Sequence, residues 1–352
     1  MPAIYRFSEP FVTESGFVLE RPEVAYCTWG RLGPARDNAV VVCHALTGTP
    51  DAADWWGGLF GPGQPLDPGR HFIVCANVLG SCYGTTGPRS VDPATGRPYG
   101  GRFPLVTVRD TVRLHGRLLD ALGVEGVALA LGGSMGGMQA LEWALTDGRV
   151  RAAVVVAVGY AHSAWQIGIS EAQRQAIYAD PKWRGGDYPP DDPPAAGLAA
   201  ARAMAMMSYR SPSLFQDRFG RARQDGDPEA FAVESYLRYQ GRKLVGRFDA
   251  ASYVRLTQLM DRHDAAAGRG TPEAVLGALD VPLLAVGLSS DLLYPPAEPR
   301  ALAALARRGA YAELETPFGH DAFLVAFAQL AEAMRPFLAE HGLLAEPPAS
   351  AA

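Results

Sequence analysis

The sequence contains neither Cys-x-x-Cys nor His-Glu-x-x-His, the short spacings by which one segment offers two ligands to zinc, so no metal is expected. Cysteine is sparse. The four residues Cys27, Cys43, Cys75 and Cys82 all lie in the first quarter, three of them in or beside apolar strand-like runs, which reads as reduced core thiols. No uninterrupted apolar run is long enough to span a bilayer. The start, MPAIYRFSEPFV, has no cationic region leading into an apolar stretch, so neither membrane attachment nor secretion is expected and a cytoplasmic location is. Basic patches are missing too, and a net charge of -5 removes the electrostatic footprint of a nucleic-acid partner. There is no internal repeat.

What is present is an ordinary globular composition, 48% apolar and 20% charged, in a chain of 352 residues, long enough for an α/β core with an inserted subdomain. The most informative stretch is Val127 to Trp143, VALALGGSMGGMQALEW. Val127 to Leu131 is an apolar run of buried-strand type, and Met135 to Leu145 carries apolar residues at helical spacing. Between them, Gly132-Gly133-Ser134-Met135-Gly136 fits Gly-x-Ser-x-Gly, a sharp strand-to-helix turn that holds its serine in a strained conformation. The flanking glycines are needed because side chains there would collide as strand and helix close on each other. Ser134 would then sit at a helix N-terminus, where free N–H groups favour negative charge developing on a substrate oxygen.

Strands are expected within 17–29, over 39–43, 71–78, 150–158, 281–286 and 310–314, and helices over 107–122 and 296–307. From 161 to 276 the pattern is mainly helical, with helices around 163–179, 195–208, 228–244 and 250–261. TPFGHDAFL is expected to open a last helix reaching Leu338, and the Ala/Pro-rich tail from Leu344 to Ala352 to fray. Alternating strands and helices on either side of a helical block point to an α/β-hydrolase fold, a mostly parallel sheet with helices on both faces. Its core is expected in 1–160 and 277–352, with a helical lid in 161–276.

That fold places an acid and then a histidine on loops after late strands. Asp291 and His320 fill those positions. His320 would take the Ser134 proton and later protonate the leaving group, while Asp291 holds the imidazole tautomer. Asp261, His263 and Asp280 compete, but none follows a late strand. One oxyanion donor would be the Met135 N–H, the other an N–H from the HALTG loop, around Leu46 or Thr47. His44 reads as a buried structural histidine. Gly80-Ser81-Cys82-Tyr83-Gly84 copies the outline of the elbow, yet glycines and prolines follow where a helix should start, so Cys82 is not the expected nucleophile.

These motifs, with NVLGSCYGTTGP (77–88), GRPYGGRFPLVTVRD (96–110), Tyr209-Arg210-Ser211, SYLRYQGRKLVGRFDAASY (235–253), SSDLLYPP (289–296) and GHDAFL (319–324), resemble the homoserine O-acyltransferase family across nearly the whole chain, nearest its acetyl-transferring members. The resemblance implies that acetyl-CoA acylates Ser134 and that L-homoserine then accepts the acetyl group, in methionine biosynthesis. No permanently bound cofactor is implied. It also implies that Arg210 holds the substrate carboxylate, Asp321 its ammonium, and that Tyr236 lines the pocket, with a homodimer formed through the lid. Relatives on this scaffold use succinyl-CoA or acylate serine, and the same triad can serve water as an esterase or thioesterase does.

Overall fold

The computed structural model describes residues 1–344. The expectation for the tail falls on 345–352, outside the described residues. Eight strands form the main sheet: β1 (Ala3–Arg6), β2 (Glu23–Trp29), β3 (Ala39–Cys43), β4 (Phe72–Ala76), β5 (Val127–Gly133), β6 (Ala153–Val156), β7 (Leu283–Leu288) and β8 (Gly309–Leu314). Their spatial order is β1-β2-β4-β3-β5-β6-β7-β8. β1 and β2 pair antiparallel, as do β2 and β4, and every pairing from β4 to β8 is parallel. This is an α/β-hydrolase sheet.

Every residue of β3, β5, β6 and β7 is buried, because helices cover both faces of the sheet. Successive side chains divide between two apolar layers. Val41, Val155 and Ala285 join helices α1 (Val108–Ala121) and α2 (Met135–Thr146) on one face. Val42, Val154 and Val286 join Trp56 and the closing helix on the other. The start of α1 is set locally. Thr107 Oγ1 accepts the Asp110 N–H at 3.0 Å and Asp110 Oδ2 accepts the Thr107 N–H at 3.1 Å, a reciprocal cap.

Between β6 and β7 the chain forms α3 (Ala164–Tyr178), α4 (Ala195–Tyr209), α5 (Pro212–Phe219), α6 (Ala232–Val245) and α7 (Ala250–Asp261). After β7 come α8 (Ala297–Leu305) and, beyond β8, α9 (Phe327–Glu340). Two local expectations need correction. The sequence expectation begins a helix at Pro228, but Asp227–Phe231 is a strand paired with Arg223–Gln224, and α6 begins only where the Glu234 carboxylate receives the Phe231 N–H at 2.7 Å. The last helix does not start in TPFGHDAFL. Gly319–Leu324 forms a 3-10 segment, the Val325 and Ala326 N–H groups both close on the Ala322 carbonyl, and α9 follows separately. β1 and α5 had no strong signal, since β1 is mostly exposed and α5 buries no residue completely.

Two buried histidines brace the loop after β3. His44 Nε2 accepts the Val78 N–H at 3.1 Å and lies 2.9 Å from Asn77 Nδ2, while Nδ1 donates to the Ala45 carbonyl at 2.8 Å. These bonds need the neutral ring. Burial lowers the pKa of His44 to about 4, and that of His115, bonded to the Asn77 carbonyl, to about 4 as well.

Two tests follow from this packing. A Cβ on Gly136 would lie 2.1 Å from the Cys43 carbonyl oxygen, a backbone atom that cannot swing away. Gly136→Ala should therefore cost about 3 kcal/mol, read as a lower midpoint in urea. Because the folded histidine pKa values lie below the unfolded value near 6.5, the unfolded chain binds more protons between about pH 6.5 and 4. Stability should hold above about pH 6.5 and fall as pH drops towards 4. His115→Gln should flatten that slope in urea titrations at several pH values.

Candidate active site

The serine stands where β5 turns into α2, with φ 57 and ψ −127, a conformation L-residues rarely adopt. Close approach on both sides enforces it. A Cβ on Gly132 would lie 2.2 Å from the Gly136 carbonyl oxygen, and the Ser134 N–H is tied to the Val156 carbonyl at 2.9 Å. The side chain is brought to one end of the parallel sheet, where the loops after β3, β7 and β8 also arrive.

Asp291 and His320 come together there, buried, with Asp291 Oδ2 accepting from His320 Nδ1 at 2.7 Å. The other carboxylate oxygen is also occupied, accepting the N–H groups of Leu293 at 2.8 Å and Tyr294 at 2.9 Å. The acid is thus held on both sides. With Nδ1–H turned to Asp291, Nε2 is the ring nitrogen left to act as a base. Ser134 and His320 line one cavity of about 490 Å³, and Leu46 and Thr47 from the loop after β3 line it as well. The Met135 N–H, at the first position of α2, has no partner within its helix and so can donate. Such an arrangement can attack an ester or thioester carbonyl, stabilise the tetrahedral oxyanion and transfer a proton to the leaving group.

The competing groups are engaged elsewhere. Asp261 pairs with Arg174 and His162, Asp280 with Arg307, and burial lowers the pKa of His263 to about 3. Burial pushes the Cys82 thiol up to about 12, far from the thiolate a nucleophile needs.

Arg210 and Asp321 meet in an ion pair at 3.0 Å. Asp321 lines the cavity, while Arg210 stands behind it with a buried Nε that has no hydrogen-bond partner. The segments carrying them are locked together, since Ser211 Oγ donates to the Pro317 carbonyl and a Cβ on Gly319 would lie 2.7 Å from the Ser211 nitrogen. Burial raises the Asp321 pKa, and Arg210 and His320 oppose that rise. Tyr236 is placed apart from these groups. It packs on Phe219 at 5.0 Å and Phe215 at 6.1 Å under the Arg218 guanidinium, and is not among the residues lining the cavity.

Sequence reasoning did not single out the cations of this cavity. Arg202, Lys243 and Arg247 line it, and none forms an ion pair among the described residues. Arg247 instead donates to the Thr47 carbonyl at 2.8 Å and the Tyr83 hydroxyl at 2.6 Å, so its charge meets no carboxylate. The three come from α4, α6 and the turn after α6, and no short motif contains them all.

Comparison with known proteins bears on the fold and family. The family model described as alpha/beta hydrolase fold matches residues 38–327. A homoserine O-acetyltransferase of Chlorobium chlorochromatii is 53% identical over 336 residues, 95% of this chain and 94% of that protein. One from Salinibacter ruber is 56% identical over 320 residues, 89% and 90% of the two chains. Among solved structures, esterase E22 superposes with a TM-score of 0.88 at 25% identity, covering 96% of this chain and 99% of its own. The chain thus belongs to the α/β-hydrolase fold family and, within it, to the family of homoserine O-acetyltransferases.

Proposed function

We propose that this protein transfers the acetyl group of acetyl-CoA to the γ-hydroxyl of L-homoserine by double displacement through acetyl-Ser134, a step of methionine biosynthesis in the cytoplasm. The observation that carries the reading is a nucleophile elbow and a buried Asp291–His320 pair opening into one cavity lined by three cations that form no ion pair among the described residues. In the first half-reaction Ser134 attacks the thioester carbonyl and His320 Nε2 takes its proton. The N–H groups of Met135 and of Leu46 hold the oxyanion, and the thiolate of coenzyme A leaves with the proton from His320. In the second, His320 removes the homoserine hydroxyl proton, the alkoxide attacks the acyl-enzyme, and O-acetylhomoserine departs as Ser134 regains its proton.

Arg202, Lys243 and Arg247 suit a donor that carries phosphates, since cations without carboxylate partners lower the cost of bringing polyanionic charge into a partly enclosed space. As the resemblance implies, Arg210 is assigned to the amino-acid carboxylate and Asp321 to the ammonium, the two being already paired beside the cavity. Tyr236 acts at most through its neighbours on α5. The helices between β6 and β7 are the lid. Met204, Met207 and Tyr239 expose large apolar surface on two of them, which supports a homodimer formed there.

Hydrolysis is the second reading, favoured by the likeness to esterase E22. Water access decides between the two. Coenzyme A release from acetyl-CoA should be fast with L-homoserine, slow with water alone, and abolished in Ser134→Ala. Equal release with water would overturn acyl transfer in favour of hydrolysis, while preference for succinyl-CoA or L-serine would move the protein to a neighbouring specificity. Lys243→Ala should raise the KM for acetyl-CoA by about fivefold, the scale of one exposed charge pair, and leave hydrolysis of p-nitrophenyl acetate unchanged because that donor lacks phosphates.

A further inference from the structure

A chain of buried polar contacts reaches the base from the side away from the cavity. Helix α3 opens at Ala164, and side chains at its start reach three consecutive residues after Asp291. Trp165 Nε1 donates to the Leu292 carbonyl at 2.8 Å and Gln166 Nε2 to the Leu293 carbonyl at 2.8 Å. His162 Nε2 lies 2.9 Å from the Tyr294 hydroxyl. Tyr294 is 1% exposed, and its ring stacks on the His320 imidazole, with centroids 5.2 Å apart and 26° between the planes. Its backbone N–H is one of the two donors to Asp291 Oδ1. One residue thus touches both the base and the acid.

The chain continues away from the site. His162 Nδ1 lies 3.2 Å from Asp261 Oδ1, and Asp261 Oδ2 pairs with Arg174 at 2.6 Å. With Nδ1–H turned to the carboxylate, His162 Nε2 is the acceptor of the phenol proton. Burial pushes the Tyr294 phenol well above its ordinary pKa, so its O–H is kept for donation. Neither Tyr294 nor His162 lines the catalytic cavity. Tyr294, His162 and Arg174 are therefore buried, and Asp261 nearly so, without reaching a reactant. Each was desolvated at a cost that apolar packing would have avoided, and satisfied networks of this kind select one arrangement of the groups they join.

We propose that Tyr294 is the positioning residue of the base: its ring fixes the plane of the His320 imidazole against Asp291, and His162, Asp261 and Arg174 anchor that ring to α3 and α7. The lid and the triad are then one mechanical unit. An imidazole free to tilt would lose its alignment with Ser134 while both substrates still bound, so the effect falls on the chemical step.

The proposal rests on Ser134, His320 and Asp291 acting as the triad, and its test is chosen to read that triad without acetyl-CoA or homoserine. Labelling of Ser134 by a fluorophosphonate probe is timed, and the far-downfield proton resonance of His320 Nδ1–H is recorded, for wild type, Tyr294→Phe and Tyr294→Leu. Tyr294→Leu should slow labelling by about 100-fold and broaden or remove the resonance. Tyr294→Phe keeps the ring and should stay within about fivefold, the scale of one lost hydrogen bond. In acyl transfer kcat should fall with it, and the KM for each substrate should stay within about twofold.

Labelling by Tyr294→Leu at close to the wild-type rate with the resonance intact would overturn the proposal, as would a Tyr294→Phe as damaged as Tyr294→Leu. Should Tyr294→Leu fail to fold, Tyr294→Met removes the flat ring while filling its space, and a folded Tyr294→Met with unchanged kcat also overturns it. If wild type labels at Ser134 but does not use acetyl-CoA, the acyl-transfer reading fails and the positioning of His320 is still decided.

Discussion

Ser134 is held with φ 57 because three backbones converge on it, and no side chain could relieve that crowding. The Gly136 carbonyl closes on Gly132, the Cys43 carbonyl closes on Gly136, and β6 takes the Ser134 N–H. Strain at one residue costs of order 1–3 kcal/mol and persists only when its surroundings over-determine it. Strands β3, β5 and β6 supply that over-determination, since every residue in them is buried and each is bonded to neighbours on both sides. The rigid middle of the sheet is what allows a strained serine to exist.

From that point outward the constraints weaken and side chains take over from backbone. Asp291 sits on a loop and His320 near the start of a short 3-10 segment, and neither holds its geometry without outside support. The support comes from backbone N–H groups on one carboxylate oxygen, from Tyr294 over the ring, and from the first residues of α3 gripping the carbonyls of Leu292 and Leu293. The helical segment between β6 and β7 is thus more than a cover for the cavity. By these contacts it braces the loop that carries Asp291.

Legibility in the sequence followed how local each feature is. The elbow could be read because its chemistry is written in five consecutive residues, and Asp291 and His320 because chain order in this fold limits where they fall. The helix expected over 250–261 is α7 residue for residue, with Asp249 as its cap. The strand at Asp227–Phe231 was hidden because Glu234, which caps α6, lies in a run whose apolar spacing suits a helix from Pro228 onward. Arg202, Lys243 and Arg247 were unreadable for a different reason. They meet in space only after α4 and α6 pack against each other, and a cation on an amphipathic helix looks the same in sequence whether it faces solvent or a catalytic cavity.

The Arg210–Asp321 pair gives this site an unusual character. A pocket for an amino acid must hold a cation and an anion side by side, and left bare each would pull the other's partner out of reach or drag water inward. If the pair takes the amino acid as proposed, the two charges neutralise each other until a zwitterion arrives. Its carboxylate and ammonium would then replace, head for tail, the contact they interrupt. Recognition would be an exchange between two neutral pairs, and an alcohol without both charged ends would have nothing to offer in return.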